Sequence, residues 1–270
     1  MSLPKGFVSG SVVAGLKSSG ALDLTIIHNQ GPLNFATAVF TTNKIVAAPV
    51  IWSRQVIKGG QVSAVVLNSG GANACTGPQG FADTHKTAEL VAHKLDLSSS
   101  EVVVCSTGLI GELLPMNKIE AGIGAISLDD QGFDSSAKAI MTTDSIPKRV
   151  TVTRNGITTS GIAKGAGMLA PALATMLSVI MTDAVVDGEA AKEIFKRVVD
   201  QTFNRIDSDG CTSTNDTVLF MASGASGVEL HGSEMEKVLL EVCGSLSDQL
   251  IADAEGASKT IAIKVINAAT

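Results

Sequence analysis

Residues 148–182 read KRVTVTRNGITTSGIAKGAGMLAPALATMLSVIMT. Two alternating segments, 148–154 and 157–165, flank Asn155–Gly156, the dipeptide that most favours a two-residue hairpin because both positions can take positive φ. A glycine-rich passage and Pro171 follow. Then comes 176–182, a continuous apolar run of strand length. A hydroxyl, Thr175, stands at the mouth of that buried strand. Two readings are open. Thr175 marks a strand boundary, or Ala174–Thr175 is a bond the protein cuts in itself to free a nucleophile.

Working outward, strands are predicted at 22–27 and 36–42 with a turn between them, at 46–52, at 61–68 and at 101–105. Further strands are expected at 216–223 and 259–266, the last alternating. Helical spacing runs through 80–95, 134–142, 188–206 and 234–255. A helix is also expected within 106–126, broken or restarted near Pro115. Strands and helices mix without a regular βαβ period. This predicts an α/β fold of layered sheets covered by helices. A weak break at 128–134 is the one candidate boundary.

The chain has 270 residues, enough for a sizeable core. A net charge of −6, 3% aromatics and no tyrosine argue against a nucleic-acid platform. No run approaches the roughly 18 apolar residues of a membrane span, and MSLPKGFVSG lacks the apolar centre of a signal peptide. Cys75, Cys105, Cys211 and Cys243 form no CxxC pair, so a cytoplasmic setting is expected, with Cys211 a packed small residue. The four histidines are scattered and suggest neither a metal site nor a histidine dyad.

The chemistry of a self-cleaved threonine is coherent. Its hydroxyl needs a base, and a freed α-amine, titrating near 7.7–8.0 in model compounds, can be that base. Acyl transfer also needs donors for an oxyanion. Ser106-Thr107-Gly108 follows a buried strand, and N–H groups at the start of a helix there would point outward. The alternative is an ordinary helix cap. SGGANACTG (69–77) reads as a turn or an anion nest. Lys164 and Glu255 read either as solvated charges or as partners for a substrate carboxylate and ammonium group. Thr142 reads as a cap or turn residue.

LNSGGANACTG (67–77), CSTGLIGELLPM (105–116), AIMTTD (139–144), AKGAGMLAPALATML (163–177), STNDT (213–217) and ADAEGASK (252–259) occur in this order. Together they resemble the glutamate N-acetyltransferase family, also called ornithine acetyltransferase, from about residue 5 to the end of the chain. The resemblance implies the layering of N-terminal-nucleophile hydrolases with a topology of its own. It implies self-cleavage between Ala174 and Thr175, giving 1–174 and 175–270, and assembly of the pieces as an α2β2 heterotetramer. Thr175 would carry an acetyl group from N2-acetylornithine to glutamate by a ping-pong scheme in arginine biosynthesis, with acetyl-CoA a possible further donor and no cofactor or metal. Thr107 and Gly108 would stabilise the oxyanion. Thr142, Lys164, Thr175 and Glu255 would bind substrate.

The family pattern continues into a further segment, with a DPNWGR-like motif and an active-site asparagine and hydroxyl residue, that is not in these 270 residues. The resemblance therefore implies that the chain alone is poorly active or unstable. The rival expectations are an N-terminal-nucleophile aminopeptidase or amidase, in which water accepts the acyl group, and an inert fragment in which Thr175 stays peptide-bonded.

Overall fold

The computed structural model describes residues 1–170 and 176–267. Ala174 and Thr175, with the predicted cleavage point, lie outside the described residues.

Among the described residues nine strands form two sheets. The first has the order β1-β2-β4-β5, from Phe7–Val12, Leu24–Asn29, Ala64–Gly71 and Val102–Leu109. The second has the order β3-β9-β8-β7-β6, from Phe35–Phe40, Thr217–Ala222, Leu177–Thr182, Ile157–Lys164 and Lys148–Arg154. Pairing is antiparallel except for β4 with β5 and β8 with β9. The β6–β7 hairpin turns at Asn155 and Gly156, with φ of 51° and 80°, as the dipeptide predicts.

Alternation along the strands sorts the side chains into three apolar layers. Ile27, Val65, Leu67, Val103 and Cys105 of the first sheet meet Ile162, Val179, Met181, Leu219 and Met221 of the second. The opposite parity, with Ile26, Val66 and Val104, packs under α2 (Gly77–Leu95) and α3 (Met116–Ala125). On the far side, Ile180, Val218 and Phe220 pack under α5 (Gly188–Gln201) and α6 (Gly232–Ala252). The result is helices, sheet, sheet, helices: the predicted layered α/β class. Residues 128–134 are no boundary, because Ser9 and Asp129 exchange backbone hydrogen bonds of 2.8 and 3.1 Å and the two sheets share a core.

Four predicted elements differ. Residues 46–52 are not a strand; α1 (Ala48–Ile57) begins there, with Pro49 in its first turn, where a missing N–H costs nothing. Its Trp52 Nε1 donates to Val102 O at 3.0 Å, and Ser53 Oγ bonds both the O and the N of Val104 at 2.8 and 3.1 Å. The helix thereby covers the open edge of β5, which needs such cover. Residues 106–109 continue β5 instead of opening a helix, and α3 starts only after Pro115. Likewise 69–71 extend β4 instead of beginning a turn. Residues 259–266 form no strand, and Ile261, Ile263, Val265 and Ile266 are exposed; alternation alone makes no sheet without a neighbouring strand to bond, and none pairs with it among the described residues. Strand β1 was not anticipated. A short helix, α4 (Phe133–Ala139), packs Phe133 and Ala137 into the layer between the sheets. Among the described residues no helix is long and apolar enough to cross a membrane.

Candidate active site

The parity that builds the inter-sheet layer also places its chemistry. Thr107 continues the inward series Val103–Cys105 at the end of β5, and Lys164 continues the inward series from Ile162 at the end of β7. The two meet between the sheets. Lys164 Nζ donates to Thr107 Oγ1 at 3.0 Å, and both side chains are buried. A hydroxyl that accepts from an ammonium keeps its own hydrogen for another acceptor. Thr107 is therefore oriented as a donor.

Gly108, the next residue, is exposed where β5 emerges. It pairs with Gly70 on β4 at a bulge, with φ of 128°. A Cβ there would stand 2.7 Å from Gly71 N. Only glycine fits this close approach of two backbones. The pair is braced from behind: Asn215 Nδ2 donates to Ala72 O at 2.6 Å and to Ser106 O at 2.9 Å, and Ser106 Oγ donates to Asn68 Oδ1 at 2.6 Å. The N–H groups of Thr107 and Gly108 thus belong to a strand end, not to a helix start as the sequence suggested.

Beside Gly70 lies an open cleft of about 350 Å³. Leu16, Lys17, Ser19, Ser69, Gly70 and the exposed Thr142 line it. Thr142 N donates to Asp144 Oδ2 at 2.9 Å. Asp144 also accepts from Gly165 N at 2.6 Å, one residue beyond Lys164. Lys148 Nζ bridges Asp144 Oδ1 and Asp253 Oδ2, each at 2.6 Å, with no exposure of the lysine side chain. Asp253 closes α6, two residues before Glu255. Glu255 itself is exposed; its N–H donates to Ala166 O at 2.7 Å, and its Oε2 stands 3.1 Å from where a Cβ on Gly167 would be. One buried Asp144–Lys148–Asp253 cluster therefore ties together the stretches that carry Thr142, Lys164 and Glu255.

Burial pushes the Lys164 ammonium down to about 8, against the attraction of Asp144. For Asp144, burial alone would raise the carboxyl, but Lys164, Lys148 and the Gly165 N–H outweigh it and hold the group below its ordinary range. Asp216 goes the other way: burial pushes it well above that range, despite its bond from Met176 N–H. Asp216 Oδ1 accepts from Met176 N at 3.1 Å, and Oδ2 has no partner among the described residues. Met176 N is the amide that follows Thr175, and Leu177 pairs with both Lys164 and Thr217. The described chain thus resumes directly beside the Lys164–Thr107 contact.

The sequence reading named Thr107, Gly108, Lys164, Thr142 and Glu255; it missed Lys148, Asp144, Asp253, Asn215 and Asp216. Asp144, Asn215, Asp216 and Asp253 lie inside the quoted stretches AIMTTD, STNDT and ADAEGASK, which was a signal for them, whereas Lys148 showed only a charge at a strand start, which a solvated face shows equally. Cys211 is exposed, not packed, in the loop before β9, while Cys105 and Cys243 are buried, their thiols pushed up to about 12 and further still. Among the described residues no cluster of three or more His, Cys, Asp or Glu could hold a metal. A more enclosed cavity, of about 130 Å³, lies at the opposite end of β7 beside Ile157, Val228 and Leu230.

The layered arrangement is similar to the Ntn hydrolase fold. An L-aminopeptidase D-Ala-esterase/amidase from Ochrobactrum anthropi, described as a variant of the Ntn hydrolase fold, superposes with a TM-score of 0.51 at 13% identity, covering 96% of this chain and 90% of that one, a likeness of fold alone. The chain belongs to the ArgJ family, whose pattern matches residues 8–270. The arginine biosynthesis bifunctional protein ArgJ of Streptomyces coelicolor is 54% identical over 268 residues, 98% of this chain and 70% of the relative. The protein of the same description from Mycobacterium tuberculosis strain H37Rv is 50% identical over 277 residues, 99% of this chain and 69% of the relative. Among solved structures, an ornithine acetyltransferase from Mycobacterium tuberculosis complexed with ornithine is 50% identical, with a TM-score of 0.60, covering 64% of this chain and 94% of that one.

Proposed function

We propose that the chain transfers an acetyl group from N2-acetylornithine to glutamate through an acetyl ester on Thr175, in arginine biosynthesis. The observation that carries this reading is the buried Lys164 Nζ–Thr107 Oγ1 contact beside Gly108. It supplies an oriented hydroxyl and a strand-end backbone for a tetrahedral oxyanion. The cleft at Thr142 is lined by Gly70, the strand partner of Gly108.

Thr175 Oγ attacks the Ala174 carbonyl carbon, the Ala174–Thr175 C–N bond breaks, and the hydroxyl proton passes to the departing nitrogen. Water hydrolyses the resulting ester, leaving an Ala174 carboxylate and a free Thr175 hydroxyl and amine. In turnover, Thr175 Oγ attacks the acetyl carbon of N2-acetylornithine and its proton passes by way of the α-amine to the leaving ornithine nitrogen. Glutamate nitrogen then attacks the acetyl ester, and Thr175 recovers its proton. Thr107 and Gly108 donate to the oxyanion in each step. Lys164 and Thr142 hold the parts the two substrates share, Lys164 as partner of a carboxylate, and Glu255 takes the ornithine side-chain ammonium.

The coverage by solved relatives supports cleavage: 64% of this chain spans 94% of the ornithine acetyltransferase chain, which is the share of the 270 residues taken by 1–174. On this reading the pieces 1–174 and 175–270 belong to an α2β2 assembly in the cytoplasm. The relatives are called bifunctional, which favours acetyl-CoA as a second donor. The chemistry passes through an ester and calls for no resident cofactor.

The test is intact mass under denaturing conditions, followed by transfer of labelled acetyl from N2-acetylornithine with and without glutamate. Two pieces split at Ala174–Thr175 and glutamate-dependent acetylglutamate are expected. Label released to water at the same rate without glutamate would favour an amidase. An uncut chain that forms no acetyl ester overturns the reading.

A further inference from the structure

The two proposed substrates share an α-carboxylate and an α-nitrogen but carry opposite charges on their side chains. One site must therefore hold a δ-ammonium in one half of the reaction and a γ-carboxylate in the other. Lys164 accounts for one carboxylate and Glu255 for one cation. The second carboxylate of glutamate has no partner among the residues assigned so far.

The cleft beside Gly70 contains a second cation, Lys17. Its loop is fixed, not floppy. Asp23, fully buried, accepts from three of its backbone amides: Ala14 N at 2.6 Å, Leu16 N at 2.6 Å and Lys17 N at 3.1 Å. Leu16 packs so tightly on Gly70 that a Cβ there would fall 2.5 Å from Leu16 Cβ. The loop is thus seated on the strand end that pairs with Gly108. Lys17 Nζ donates to Leu22 O at 2.9 Å. An ammonium has three donors, so two remain. Thr142 lines the same cleft.

The surroundings suit an anion. Lys17 adds to the lowering of the Lys164 ammonium, and Asp144, the acidic group that both feel, already serves Lys148, Gly165 and Thr142. Burial lowers the Lys17 ammonium somewhat, against the pull of Asp23 and Asp144. A carboxylate entering the cleft would meet a pre-positioned cation on a clamped loop.

We propose that Lys17 is the specificity residue for the acceptor, binding the γ-carboxylate of glutamate in the cleft formed with Ser19, Gly70 and Thr142. This rests on the transferase reading above. The ornithine side chain, carrying the opposite charge, turns toward Glu255 instead.

The experiment uses the chain with Lys17→Gln and Lys17→Arg, glutamate and glutamine as acceptors, and N2-acetylornithine as donor. Glutamine has the shape of glutamate without the charge. A lost charge-assisted contact predicts a KM for glutamate raised about ten- to a hundredfold in Lys17→Gln. The kcat/KM preference for glutamate over glutamine should collapse by the same factor. The KM for N2-acetylornithine should move far less, and Lys17→Arg should restore most of the preference. A merely structural lysine would disturb both substrates together and leave the glutamate-to-glutamine ratio unchanged; that result overturns the proposal. If the parent chain transfers acetyl to neither acceptor, the transferase reading itself has failed and this inference falls with it.

Discussion

The two sheets reach the same site with opposite materials. The first sheet ends in backbone and neutral groups: Gly70, Gly71 and Gly108, braced by Asn68, Ser106 and Asn215. The second ends in buried charge: Lys164 on β7, Asp216 before β9, and the Asp144–Lys148–Asp253 cluster at the foot of β6. Neutral donors fixed in place need no counter-ion and stabilise charge that appears only in a transition state. Buried ions demand partners at all times, and they titrate. One sheet end is therefore built for a transient oxyanion. The other is built to feel the charges of substrates and the pH.

The comparison breaks most readily at the charged end. Lys148→Met leaves two acids facing each other without their shared cation. Removal of one partner from a buried ion cluster costs about 3–5 kcal/mol. Denaturant unfolding should show a loss of that size, and Lys148→Met combined with Asp144→Asn should recover part of it. If the single variant unfolds like the parent, the cluster is not what ties Thr142 to Lys164 and Glu255.

The neutral end should break by geometry alone. Gly108→Ala forces a Cβ to within 2.7 Å of Gly71 N at a φ of 128°. Strain of this kind costs about 1–3 kcal/mol, so the chain should melt lower and, on the proposed reading, lose acetyl transfer more than substrate binding. Gly124→Ala is the control. It lies in α3 with nothing within 4 Å of the added carbon, and helix propensity predicts a gain of about 1 kcal/mol. A Gly108→Ala chain as stable as the control would show that the β4–β5 junction is not tight.

This contrast also explains what the sequence revealed. The β6–β7 hairpin was legible because Asn155–Gly156 states its own turn, and β8 because it is apolar without interruption. The inter-sheet meeting of Thr107 and Lys164 follows from strand parity, but only once the sheet order is known. The order is set by contacts as remote as Phe40 with Thr217, which no local pattern announces. Residues 46–52 misled because Val, Ile and Trp favour strands, while the site they occupy, the open edge of β5, required the hydroxyl and indole of a helix. Strand β1 hid because FVSGSV is half small and polar, and its Gly10 exists to let Ser127 O approach where a Cβ would stand 1.9 Å from it. The buried ions were invisible for another reason. A lysine at a strand start reads as solvent-facing unless the aspartates 4 and 105 residues away are known to converge on it.

The finest test sets the two properties of Lys164 against each other. Its folded value of about 8 lies below the ordinary 10.5. For a lysine lowered in the fold, the unfolded chain holds the proton more tightly between those two values. The charged group therefore costs stability at full strength below pH 8, and that cost is relieved as pH rises from about 8 toward 10.5. Carboxylate binding runs in the opposite direction, because it needs the charged form. Above pH 8 each unit should weaken a bound carboxylate by up to about tenfold, or 1.4 kcal/mol. N-acetylglutamate is a suitable probe because it has no amine of its own to titrate in that range. Calorimetry from pH 7 to 9.5 should show its affinity falling while the intrinsic Lys164 contribution, taken as parent minus Lys164→Met, moves toward greater stability. Lys164→Met should bind the probe weakly at every pH, with a flat profile. If the parent's affinity is equally flat, the carboxylate is held by other groups, and Lys164 acts only through the hydroxyl of Thr107.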